Sequence, residues 1–102
     1  MPILNSVIVF GSLFHVKLTD NIEDSAEGDI DFKSRIIEID SKLCPSGRIE
    51  VLIHEVLHAY DFKWTGGISE KTEPDIIRDT TCLIDFLSAN KELVAKILED
   101  LP

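Results

Sequence analysis

The sequence predicts an α+β fold, with a small N-terminal antiparallel or mixed β-sheet followed by helices that pack on one of its faces. Three observations predict it. Runs with strand periodicity are confined to the first forty residues, helical periodicity begins near residue 48, and the Cys44-Pro45-Ser46-Gly47 break separates the two regimes. The order of elements is therefore strands first, then an active-face helix and one or two shorter helices.

Val7-Ile8-Val9-Phe10 and Leu13-Phe14-His15-Val16 read as two strands, and Gly11-Ser12 between them suits a type II′ hairpin turn. Residues 20–31, DNIEDSAEGDID, are acidic and poor in apolar side chains, which predicts an exposed loop. Strand character returns over residues 32–40, where Ile37 and Ile39 alternate with Glu38 and Asp40. From Arg48 to Phe62 no breaker intervenes, and a helix is expected that ends at Thr65-Gly66-Gly67. Its apolar residues, from Ile49 through Val56 and Leu57 to Tyr60, cover most of the circumference, so it should be largely buried. Pro74 suits the first turn of a second helix whose stripe Ile76/Ile77, Leu83/Ile84 and Leu87 runs to about Ser88. Leu93/Val94 and Ile97/Leu98 mark a third, short one.

A chain of 102 residues supports one modest core and reads as a single domain over 1–102. Ten Lys/Arg against nineteen Asp/Glu give a formal charge of −9, which repels phosphate backbones and argues against direct nucleic-acid binding. The apolar run from Ile3 to Phe14 is too short to span a bilayer and lacks the flanks of a signal peptide, so a cytoplasmic protein without membrane contact is expected. Cys44 and Cys82, two thiols in an aliphatic-rich chain, read as reduced cysteines rather than as a disulfide framework.

The chemistry concentrates in His54-Glu55-Val56-Leu57-His58. Glu50, His54, His58 and Asp61 fall on one stripe of the first helix, with Glu55 beside it. Two histidines a helical turn apart reach one Zn²⁺ through neutral imidazole nitrogens, each at about 2.0–2.1 Å. Glu55, rotated by about 100° from His54, is placed as a general base rather than as a ligand. The spacing is the H-E-x-x-H signature of zinc peptidases, and it sits on a helix as that chemistry requires.

A third ligand must come from another element. Glu70, Glu73, Asp75 and Asp79 are the candidates at the second helix. Phase with Ile76/Ile77 favours Glu73, and Asp75 is its rival, because paired with Asp79 it puts one carboxylate on the metal and another behind a histidine. Both acids also suit a helix N-terminus, as cap or dipole partner. Asp61 is read either as a hydrogen-bond partner that holds His58 or as a solvated terminal carboxylate. Tyr60 and His15 are read as packing and structural residues, and no CxxC spacing makes Cys44 or Cys82 a ligand.

The runs GDIDFKSRIIEID, RIEVLIHEVLHAYDF and TCLIDFLSAN, with the opening IVFGSLFHVKL, resemble the small phage and prophage relatives of the ImmA/IrrE-type metallopeptidases, and more broadly minimal gluzincins. The resemblance implies a compact zincin-like domain with His54 and His58 as metal ligands and Glu55 as catalytic base. Glu73 is the closest match to the family's downstream glutamate. It also implies Zn²⁺ as cofactor and a phage or regulatory protein as substrate.

The expected function is that of a zinc metalloendopeptidase acting on a protein or peptide that lies along the sheet's edge strand. The alternative is a zinc-binding, latent peptidase-like module that works by docking onto a partner protein. A metal-free acidic mimic of nucleic acid is the third reading, suggested only by the charge.

Overall fold

The computed structural model describes residues 5–20, 22 and 26–102. Four strands come first, β1 Ser6–Val9, β2 Ser12–Thr19, β3 Gly28–Asp31 and β4 Ile36–Asp40, and three helices follow, α1 Pro45–Thr65, α2 Glu73–Ala89 and α3 Lys91–Asp100. The predicted α+β layout is the one observed. The strands form one mixed sheet in the order β1-β2-β4-β3. The β1–β2 and β3–β4 pairs are antiparallel, while β2 and β4 run parallel at its centre.

The first hairpin turns one residue earlier than its glycine suggests. Val9 pairs directly with Ser12, which leaves Phe10 and Gly11 as the loop, with φ of 46° and 76°. Two left-handed residues make the primed geometry that matches strand twist, but as a type I′ pair rather than the expected Gly11-Ser12 type II′. A phenylalanine there is strained. Its ring packs edge-on against Tyr60 at 4.9 Å and beside Trp64 at 6.4 Å, contacts that offset the cost. Moving the turn by one residue moves the pairing by two, so the inward face is unchanged and Val9 and Phe14 are still buried.

The acidic segment is not all loop. Gly28–Asp31 pairs with β4 as the edge strand, Ile30 opposite Ile37, and turns back through residues 32–35. Alternation of a single isoleucine between Asp29 and Asp31 suffices for an edge strand, because one of its sides needs no partner. Residues 21 and 23–25 of the predicted loop lie outside the described residues.

Helix α1 begins three residues before the predicted start, at Pro45, where a missing N–H costs nothing in the first turn. Gly66, left-handed at φ 69°, closes it by donating its N–H to Phe62 O. Arg48 anchors the start of α1 to the end of β4 by donating to Leu43 O at 3.0 Å and to Ser41 O at 2.6 Å. The core lies between sheet and helix, with Val9, Phe14, Ile37 and Ile39 against Ala59, and Val51, Leu52 and Val56 around them.

The helix is less buried than its composition predicts. Only Glu55 and Ala59 are fully buried, while Trp64 is 81% exposed. The sheet covers one side of α1 and α2 a second, and among the described residues no further layer covers the third. Helix α2 rests on α1 through Ile76 and Thr80, whose hydroxyl donates to Ile76 O at 2.8 Å. Among the described residues helix α3 packs on α2 alone and does not line the cleft described below. Among the described residues no helix is long and apolar enough to cross a membrane.

Candidate metal centre

The centre is built where α1 crosses the start of α2. His54 and His58 are one turn apart, so their rings project side by side, and their Nε2 atoms lie 3.2 Å apart. Both rings are partly open to solvent, 20% and 25% exposed. Glu73, the first residue of α2, closes the triangle, with Oε1 2.6 Å from His54 Nε2 and Oε2 3.1 Å from His58 Nε2. One ligand atom from each residue falls within 4.8 Å of the others.

That set suits a small dication. Four donors at about 2.0–2.1 Å from a tetrahedral centre are a little over 3 Å apart, close to the spacing of the two imidazole nitrogens. Two imidazole nitrogens and a carboxylate are also the borderline donor set that zinc prefers.

The choice between the acidic candidates is decided by capping. Asp75 accepts from Thr72 N at 2.9 Å, and Thr72 Oγ1 accepts from Asp75 N, a reciprocal box that closes the α2 terminus. Its carboxyl is held below the usual range first by that backbone hydrogen bond. Asp79 is engaged by Lys71 at 2.8 Å and Arg78 at 3.0 Å. Neither reaches the histidines. Glu73 stands outside the box, and Pro74 behind it fixes the backbone that aims it at α1.

Glu55 lies on the sheet side of the histidines, 6% exposed, and makes no hydrogen bond or ion pair among the described residues. Among the described residues no fully sealed side-chain oxygen or nitrogen lacks a partner, so its carboxylate keeps a residual opening to the cleft. Burial, followed by the negative charges of Asp29 and Glu73, pushes its pKa up to about 7. Gly28 makes this possible. A Cβ there would collide with the Val51 side chain and come 3.5 Å from Glu55 Cγ, so only bare backbone lets β3 close on α1.

Around these groups runs a cleft of about 530 Å³ between β3, α1 and the start of α2. Glu50, His54 and His58 line it, as their common stripe predicts, and Asp61 does not. Seven residues beyond His54, Asp61 is about 10 Å further along the axis. It lines a separate groove with Phe10, Tyr60, Trp64, Lys71 and Asp79. No hydrogen bond joins it to His58 among the described residues, so the holding role is not seen. Cys44 and Cys82 are free and exposed, and His15 is exposed on β2.

Asp29 and Gly28 were the residues sequence reasoning missed, because both fell in the segment read as loop. The signal was present in Asp29-Ile30-Asp31, the shortest alternation an edge strand can show. No protein-family model, curated protein or solved structure matches this chain, so the meaning of the centre rests on its own geometry.

Proposed function

We propose that the chain is a zinc-dependent peptidase. The observation that carries this reading is the convergence of His54 Nε2, His58 Nε2 and a Glu73 oxygen within 4.8 Å, beside a buried and unpaired Glu55. Zn²⁺ held by these three supplies a Lewis acid that lowers the pKa of a water toward about 7 and polarises a carbonyl. The chain's own groups do the rest. His54 and His58 share one helix face and as neutral imidazoles each offer one nitrogen, and Glu73 brings a compensating negative charge from a second helix. Glu55, buried beside the centre with no other partner among the described residues, accepts a proton from the attacking water and returns it to the leaving amine.

A protein or peptide substrate enters along the open edge of β3, which carries unused backbone donors and acceptors beside the centre. The resemblance to ImmA/IrrE-type enzymes supports the same reading and extends it to a phage or regulatory substrate and an intracellular setting. A second reading, a zinc-stabilised module that acts by docking, is favoured by the exposed Phe10, Trp64 and Ile68, at 58%, 81% and 85%.

One experiment separates them. The purified protein is expected to hold one equivalent of zinc by elemental analysis and to lose it on His54→Ala. Glu55→Gln is expected to retain the zinc while peptide hydrolysis falls by about 10²–10⁴-fold. Zinc binding with a biological effect that survives Glu55→Gln would establish the docking reading instead.

A further inference from the structure

The charge of the cleft is one-sided. Glu27, Asp29, Glu50, Glu55 and Glu73 all line it, and no lysine or arginine does. Of the basic residues near it along the chain, Lys71 is paired with Asp79, Arg78 with Asp75 and Asp79, and Arg48 donates to Leu43 O and Ser41 O, while Lys33, next to Phe32, is exposed and does not line the cleft. Glu73 and Glu55 belong to the metal chemistry, and a dication offsets their two charges. Five carboxylates less those two leave three, Glu27, Asp29 and Glu50. None of these three makes a side-chain hydrogen bond or ion pair among the described residues.

Their placement fits an extended chain. Glu27 and Asp29 lie two residues apart at the start of the edge strand, and Glu50 faces them from α1, one turn before His54. The buried, unpartnered Glu55 opens into the same cleft, which marks the space between these walls as a place where something binds. Resting on the peptidase reading for what happens at the metal, we infer that this cleft selects a peptide segment carrying lysine or arginine beside the bond to be cleaved, with Asp29 and Glu50 as its specificity-determining residues. Cationic side chains of such a segment meet unneutralised carboxylates on both walls. Acidic segments meet the same carboxylates and the chain's formal charge of −9.

The test uses the full chain carrying Glu55→Gln and loaded with zinc, so that binding is read without turnover. Fluorescence anisotropy compares a labelled peptide containing lysines with its isosteric glutamine version and a glutamate version. The lysine peptide is expected to bind about tenfold more tightly than the glutamine one, a ratio set by two or three partly exposed charge pairs. Raising salt from about 0.01 M to 1 M, which shortens the screening length from about 30 to 3 Å, is expected to erase it. Adding Asp29→Asn and Glu50→Gln should bring the ratio toward one; both sites are exposed, so the core is untouched. The metal-free protein is expected to show the same sign of preference.

Equal binding of the three peptides, tighter binding of the glutamate version, or no binding of any at millimolar concentration would overturn the inference. A lysine preference in binding, with no hydrolysis of any peptide by the unsubstituted zinc-loaded protein, would sink the peptidase reading and leave the cleft's selectivity standing.

Discussion

Glu55 carries a conflict that its neighbours impose. It is nearly sealed between α1 and the bare backbone of Gly28, and Asp29 and Glu73 add their charges to the cost of burial. In the metal-free protein its folded pKa of about 7 lies above the ordinary 4.5, so the folded state holds the proton that the unfolded chain releases between those values. The contribution of Glu55 to stability is therefore fullest below pH 4.5 and is lost as pH rises from there through 7, by at most about 3 kcal/mol, while carboxyls held low, such as Asp75, act in the opposite direction in acid. Glu55→Gln removes the ionisation. It is expected to raise the melting temperature of the metal-free protein at pH 8 and to leave it nearly unchanged at pH 4, as calorimetry at the two values would show.

At the scale of elements, the centre depends on how α2 starts. Thr72 and Asp75 close a reciprocal cap that fixes the first turn, and Glu73 is carried by that turn toward α1. Thr72→Ala is expected to cost about 1 kcal/mol of stability by denaturant titration. It is also expected to weaken zinc binding, although Thr72 touches neither histidine. A cap that matters only to the helix would lower stability and leave zinc affinity where it was. The β1–β2 hairpin is the counterexample in which local rule and tertiary context part. The Gly11-Ser12 preference yields to a Phe10-Gly11 turn because Tyr60 and Trp64 receive the ring.

At the scale of the molecule, an open one-layer sheet with helices on one face leaves a third side of α1 bare and a small core around Val9, Phe14, Ile37, Ile39 and Ala59. So small a core gains much from a ligand that binds only the folded state. Under the proposed reading, zinc held by His54, His58 and Glu73 would join α1 to α2 and offset carboxylates that otherwise repel across the cleft. Chelator is expected to lower the melting temperature of the zinc-loaded protein, with excess zinc restoring it; stability indifferent to chelator would remove the metal from the account.

Much of this was legible in the chain itself, because it follows from period and spacing. β-branched and aromatic runs around a glycine turn marked β1 and β2, alternation marked β4, a stretch without breakers marked α1 and apolar stripes marked α2 and α3, and residues four apart on α1 put His54 and His58 side by side whatever packs around them. What lay beyond sequence was every relation between elements distant in the chain. Glu73 and Asp75 are equally acidic and two residues apart, and only the cap that claims Asp75 leaves Glu73 facing the imidazoles. The pairing of Gly28–Asp31 with β4, the approach of Gly28 to Glu55, and the acidic walls of the cleft likewise arise when segments meet, and no local pattern encodes that meeting.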